Sequence, residues 1–167
     1  MRVGIVGLGN MGGRMARRLV DGGETVAGYD ADPARAAAVG VEPAASLAAL
    51  ADFADVVLLS LPDSTVIEAV VRELEPHLRE GQIVVDLSTA SPESTMRLHE
   101  LLASRGVVYL DAGISGGATA AEAGTLTIMV GGQPEALATV RPVLDHVAAS
   151  DGAGSTPTVA ARAGSTS

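Results

Sequence analysis

The stretch VGIVGLGNMGG at residues 3–13 constrains this chain more than any other part of it. Val3, Ile5 and Val6 make a short apolar run that reads as a buried strand beginning almost at the first residue. Gly7, Gly9 and Gly12 then fall on the G-x-G-x-x-G spacing, and Met11, Met15 and Leu19 continue at a helical period. Strand, tight glycine turn and helix, in that order, make the phosphate-binding corner of a dinucleotide fold. The first glycine permits the turn, the second lets the backbone approach a pyrophosphate, and the third lets helix and strand pack closely. A diphosphate placed there meets free N–H groups at the positive end of the helix dipole.

The first helix spans about 10–21 and stops at Gly22 and Gly23. Residues 25–29 form the second strand, and Asp30 closes it, 23 residues after Gly7. An acidic residue at that place accepts hydrogen bonds from the adenosine ribose and repels a 2′-phosphate. Ala31 and Asp32 supply no arginine to neutralise such a phosphate, so NAD is favoured over NADP. Asp32, just before Pro33, is placed to cap the next helix, 33–39.

Ser46 opens a short Ala/Leu helix to about Phe53. DVVLLSL at 55–61 is a continuous apolar run of strand length, as expected when both faces of a parallel sheet are covered. Thr65 and Glu68 fit a capping box for a helix through about Leu74. Residues 82–87 form the next strand, Ser91-Pro92-Glu93 start a helix closed by Gly106, and 107–110 form a further strand. This alternation predicts an α/β fold, a Rossmann-type doubly wound, mostly parallel sheet with helices on both faces, as one domain over 1–147.

Beyond Asp111 the pattern changes. AGISGGATAAEAG reads as a small-residue loop, 125–130 as a strand, and Gly131-Gly132 as a turn into a helix from Pro134 that Pro142 kinks or restarts. That helix carries Leu137, Val140, Val143, Leu144 and Val147, more apolar residues than one sheet contact requires, which predicts an exposed apolar surface and self-association. Residues 148–167 are mostly Ala, Gly, Ser and Thr without helical or strand period, the composition of a disordered tail.

Composition excludes several classes of function. The net charge is −9, and Arg14, Arg17 and Arg18 are the one basic cluster, so neither nucleic acid nor an anionic membrane is an expected partner. With no cysteine there is no disulfide, thiolate metal site or cysteine nucleophile, and no metal site is expected. No apolar run approaches the roughly 20 residues of a membrane span, and the opening strand leaves no place for a signal peptide. A soluble, cytoplasmic protein is expected. All eleven basic residues are arginine; the sequence contains no lysine.

GLGNMGGRMARRL, the strand-end Leu61-Pro62, DLSTASPEST and DAGISGGATAAEAGTLTIMVGG together resemble the β-hydroxyacid dehydrogenases, which include 3-hydroxyisobutyrate, tartronate semialdehyde and 6-phosphogluconate dehydrogenases. The resemblance covers residues 1 to about 147. It implies that Gly7, Leu8, Gly9, Asn10, Met11 and Gly12 cradle the NAD phosphates, with Asp30 on the ribose. It places Leu61 and Pro62 along the path to the nicotinamide and Thr89 beside the nicotinamide ribose. It gives Ser115, Gly116 and Gly117 the carboxylate of a small hydroxyacid or semialdehyde substrate.

Two departures stand out. Gly113 occupies a place where the family usually has proline. The family's proton-transferring lysine stands on a long helix leading into a second, all-helical domain, and here the corresponding place falls among the last residues, RAGSTS, with no lysine anywhere. That domain is expected to be absent, no catalytic residue is assigned, and His77, His99 and His146 read as surface histidines. The expectation is a cofactor-binding half with little or no turnover alone. A non-catalytic dinucleotide-binding module, or half of an enzyme completed by a separate helical chain, remain alternatives.

Overall fold

β1 (Arg2–Val6) is buried from its second residue onward, so its run of Val, Gly, Ile and Val meets side chains on both faces. It leads through the glycine turn into α1 (Asn10–Asp21), β2 (Thr25–Tyr29), α2 (Ala34–Val39) and a two-residue strand, β3 (Glu42–Pro43). Next come α3 (Leu47–Phe53), β4 (Val56–Leu59), α4 (Ser64–Leu74), β5 (Ile83–Asp86), α5 (Pro92–Ala103) and β6 (Val108–Ser115). α6 (Gly117–Ala123), β7 (Thr127–Gly131), α7 (Pro134–Leu144) and β8 (Val159–Ala161) follow. This computed structural model describes residues 1–148 and 159–161.

The strands form one sheet in the order β3-β2-β1-β4-β5-β6-β7-β8. Pairing is parallel from β3 to β6, β7 runs antiparallel to β6, and β8 is parallel to β7. The result is the Rossmann-type doubly wound sheet that the alternation predicts. Alternate strand residues serve opposite faces. Val3, Ile5, Val56, Leu58 and Val85 pack with Met15 and Leu19 of α1 and Val140 and Leu144 of α7. Val6, Val57, Leu59 and Val84 pack with Leu50 of α3, Ile67 and Val71 of α4, and Leu98 and Leu102 of α5. Among the described residues no helix is long and apolar enough to cross a membrane.

Local rules decide most boundaries. Ser46 caps α3 by accepting from the Ala49 N–H at 3.0 Å, and Ser91 caps α5 by accepting from the Ser94 N–H at 3.2 Å. The start of α4 differs from the expected box. Asp63, not Thr65, is the cap, accepting from the Val66 N–H at 3.0 Å. Glu68 instead binds the Ser94 hydroxyl and the Arg97 guanidinium, both at 2.6 Å, and ties α4 to α5.

The segment after Asp111 also differs. Asp111, Ala112, Gly113, Ile114 and Ser115 continue β6, paired residue by residue with Gly131, Val130, Met129, Ile128 and Thr127, and the small residues that follow form α6 rather than a loop. Cross-strand hydrogen bonds hold this glycine-bearing stretch extended, where composition alone suggested a turn. α7 runs through Pro142 as one helix to Leu144. Its Leu137, Val140, Val143 and Leu144, with Val147 beyond it, are all buried in the core of the α1 face. The apolar surface expected on this helix is therefore not exposed. In the stretch expected to be a disordered tail, Ala148 bridges Leu126 and Val159–Ala161 form β8. The rest of 149–167 lies outside the described residues.

Candidate functional site

Strand order reverses between β1 and β4, because the helix after β1 crosses to one face and the helix after β4 to the other. At their carboxyl ends an open cleft of about 540 Å³ results, where open α/β sheets place their ligands. Its floor is Gly7, Gly9, Asn10, Met11 and Gly12. One wall is Tyr29, Asp30, Ala31 and Arg35; the other is Ser60, Leu61, Pro62, Val66 and Val70.

The three glycines are not equivalent. Gly7 has φ +94°, and a Cβ there would collide with the Ser60 carbonyl oxygen. A Cβ on Gly12 would collide with the Gly7 carbonyl oxygen, so this glycine allows α1 to leave the strand at close range. A Cβ on Gly9 would meet only the Nη1 of Arg35, at 3.3 Å. The fold does not use the space above Gly9. Gly9 is also the N-cap of α1 and offers no side chain to its first-turn N–H groups, and no acidic residue lies in that turn. The positive end of the helix dipole thus opens into the cleft with its donors uncapped.

Asp30 is held in place by its surroundings. Its Oδ2 accepts from the Leu8 N–H at 2.8 Å and lies 3.6 Å from the Arg35 guanidinium. Its Oδ1 accepts from the Asp32 N–H at 2.9 Å. The carboxylate is 11% exposed and faces the cleft. Arg35 is the residue that reading the sequence missed. It stands in the first turn of α2, one turn beyond the two positions inspected for a cation, and its guanidinium also lies 4.0 Å from Asp32.

Other residues named from the sequence lie outside the cleft lining. The Leu8 side chain is buried beneath Gly28, and its backbone contributes by fixing Asp30. Thr89 is exposed, just past the end of β5. Ser115 ends β6, and Gly116 and Gly117, with φ of +127° and +66°, turn the chain into α6. All three are exposed at the same sheet edge as the cleft, two strands from β4, or roughly 10 Å at the usual strand spacing.

Behind the Leu61 wall, Asp86 is fully buried at the end of β5. Burial pushes its carboxyl above the usual range, against hydrogen bonds from Tyr109 and Ser88 that pull it down. Burial and the neighbouring Asp86 likewise push the Tyr109 phenol up. Among the described residues no group of three His, Cys, Asp or Glu could hold a metal ion. His146 lies 3.1 Å from Glu24 at the opposite edge of the sheet, far from the cleft.

Comparison with known proteins agrees with this geometry. Residues 2–160 match the family model described as the NAD binding domain of 6-phosphogluconate dehydrogenase. The chain is 37% identical over 153 residues to the 2-(hydroxymethyl)glutarate dehydrogenase of Eubacterium barkeri, covering 88% of this chain and 51% of that protein. It is 36% identical over 165 residues to the NAD-dependent L-serine dehydrogenase of Pseudomonas aeruginosa, covering 92% of this chain and 55% of that one. Among solved structures, the 3-hydroxyisobutyrate dehydrogenase of Mycobacterium tuberculosis with L-serine superposes with a TM-score of 0.85 at 37% identity, over 88% of this chain and 52% of that one. The chain spans about half the length of the curated relatives it matches.

Proposed function

The chain belongs to the family of the NAD-binding domain of 6-phosphogluconate dehydrogenase, and from that premise we propose that it is the cofactor-holding half of a cytoplasmic dehydrogenase for a small β-hydroxyacid, of the 3-hydroxyisobutyrate dehydrogenase kind. The observation that carries this reading is the open space over Gly9, faced by the uncapped N–H groups of α1 and flanked by the fixed carboxylate of Asp30. A pyrophosphate fits that space in both shape and charge. When bound, the nicotinamide supplies the hydride acceptor.

The chain's own residues bind and orient. The backbone of Gly9, Asn10, Met11 and Gly12 holds the diphosphate, and Asp30 accepts from the adenosine ribose hydroxyls. Leu61 and Pro62 cover the path toward the nicotinamide, and Thr89 stands beside its ribose. Ser115, with the N–H groups of Gly116 and Gly117, holds the substrate carboxylate, since a glycine turn directs several donors toward one anion. Asp30 disfavours a 2′-phosphate, so NAD binds more tightly than NADP. Arg35 reduces that preference by neutralising part of the carboxylate's charge.

Moving the hydroxyl proton is a different task. Ser115 orients a substrate but is no base near neutral pH without an activating partner. The sequence has no lysine, and His146 sits at the far edge of the sheet. A missing general base costs ~10²–10⁴ in rate, so the 167 residues alone bind cofactor and turn over little.

Titration by the fluorescence of NADH tests the binding. NADH is expected to bind at micromolar to sub-millimolar affinity and NADPH more weakly; equal or tighter NADPH overturns the role given to Asp30. Assays with 3-hydroxyisobutyrate, L-serine and 6-phosphogluconate test the second part. A rate of NAD reduction that saturates in any of them would show that some residue here transfers the proton.

A further inference from the structure

β5 is Ile-Val-Val-Asp, and its last residue is the anomaly. Asp86 is 0% exposed, and its partners are neutral donors: the Tyr109 hydroxyl at 2.6 Å and the Ser88 N–H at 2.9 Å. Burying a carboxylate with neutral donors, and with the Asp111 carboxylate as its partner on β6, is costly, and packing at a strand end does not require one. The bond to the Ser88 N–H bends the chain back over the end of β5. That bend aims the Ser88 hydroxyl at the neighbouring turn. Ser88 Oγ accepts from the Leu61 N–H at 2.8 Å and lies 3.4 Å from the Leu59 carbonyl oxygen, to which it donates. The hydroxyl therefore bridges the turns that follow β4 and β5. Ser88 itself is 9% exposed, so water has little access to its hydroxyl.

The order of the sheet says which part of the ligand this bridge serves. Asp30 follows β2, the glycine turn follows β1, Leu61 follows β4 and Ser88 follows β5. With the diphosphate over β1 and the adenosine ribose toward β2, the nicotinamide half lies toward β4 and β5. Leu61 borders this half, its Cδ2 3.2 Å from where a Cβ on Gly7 would stand.

We propose that Ser88, oriented by Asp86 and Tyr109, is a positioning residue that fixes the Leu61-Pro62 turn against the nicotinamide half of the bound dinucleotide. The proposal rests on the cofactor reading given above. It separates Ser88 from the residues that touch the ligand, because its hydroxyl is spent on the backbone of Leu61.

Calorimetric titration with two probes tests it: NADH, which spans the cleft, and adenosine monophosphate, which reaches only the Asp30 side. Ser88→Ala is expected to weaken NADH about tenfold, the scale of one buried N–H left without a partner, while adenosine monophosphate changes by less than about twofold. Ser88→Thr, which keeps the hydroxyl, is expected to recover NADH binding. Tyr109→Phe, which keeps the ring and removes one donor from Asp86, moves NADH in the same direction by a smaller factor and serves if Ser88→Ala does not fold. Equal losses for both probes would assign the network to general stability and overturn the proposal. Unchanged NADH binding in both variants would overturn it as well. If the unaltered chain binds neither probe, the cofactor reading itself fails and the proposal falls with it.

Discussion

Replacing Gly9 with alanine separates what the fold needs from what the ligand needs. Gly9 has φ −73° and ψ −153°, a conformation open to any L residue. The added Cβ would meet only Arg35 Nη1 at 3.3 Å, the end of a side chain that is half exposed and free to swing away. Stability should therefore change by less than about 0.5 kcal/mol. The same Cβ would stand where a pyrophosphate must come within hydrogen-bond distance of the backbone. Overpacking there and the loss of one charge-assisted bond cost together about 3 kcal/mol, or roughly 100-fold in affinity. Gly12→Ala is the control. Its Cβ collides with the Gly7 backbone on the far side of the turn, so it should lose about 1–3 kcal/mol of stability as well as binding. Urea melts followed by circular dichroism give the first quantity, and NADH fluorescence gives the second, undisturbed because the chain has no tryptophan. NADH affinity within about twofold of wild type in Gly9→Ala, against the 100-fold expected, would refute the placement of the diphosphate. A large loss of stability would refute the claim that the fold leaves this space unused.

Three more outcomes are expected. Arg35→Ala should widen the preference for NADH over NADPH, because Asp30 then faces a 2′-phosphate with no cation 3.6 Å away, and Asp30→Ala should narrow it; parallel NADH and NADPH titrations read both. Asp63→Ala should cost about 1 kcal/mol by removing the α4 cap, while Thr65→Ala stays within about 0.5 kcal/mol, and equal effects in urea melts would restore the T-x-x-E reading. Burial works to raise the Glu24 carboxyl, but hydrogen bonds from the Met1 ammonium and then His146 outweigh it and hold the group below the usual range. A depressed carboxyl contributes stability above its unfolded pKa of about 4.3 that is lost as pH falls through its lower folded value. The stability gap between wild type and Glu24→Gln should accordingly be present at pH 5 and close on acidification below that unfolded value; a gap that persists or grows at the acid end would contradict the pairing.

What could be read from the sequence was local. The glycine turn, α1 and Asp30 follow one another along the chain, so spacing alone brings them to one cleft. The misreadings came from partners distant in sequence. Glu68 stands three residues after Thr65 and looks like half of a capping box, yet its partners Ser94 and Arg97 arrive from α5. Asp111 to Ser115 look like a loop because two small residues and a serine carry no strand propensity, and only the antiparallel partner β7 makes them a strand. α7 looked over-supplied with apolar residues because the sequence does not show that its end docks on α1. There Arg18 Nε reaches the His146 carbonyl oxygen at 3.4 Å, and a Cβ on Gly22 would run into the His146 ring. Arg35 was missed for a simpler reason. Helix geometry brings a residue of the first turn back over the strand end, while a search of adjacent positions stops too soon.

That geometry also resolves an apparent conflict of charge. A chain of net charge −9 should repel an anionic dinucleotide, but at physiological ionic strength charges beyond about 8 Å are largely screened. Around the glycine turn Asp30 is paired with Arg35, Arg14 donates to the Asn10 carbonyl oxygen at 2.9 Å and lies 3.6 Å from Glu122, and the α1 N-terminus adds the positive end of its dipole. The cleft is therefore locally receptive to an anion although the molecule as a whole is acidic. Asp30 does not lose its acceptor role in this arrangement. An ionised carboxylate offers about four lone-pair sites. The Leu8 and Asp32 N–H groups occupy one on each oxygen, and Arg35 approaches a third at a distance too long for a hydrogen bond. What remains points into the cleft, in an orientation set before any ligand arrives. On the proposed placement of the ribose, its hydroxyls would need to reorganise nothing, so the carboxylate would still discriminate between cofactors while sitting beside an arginine.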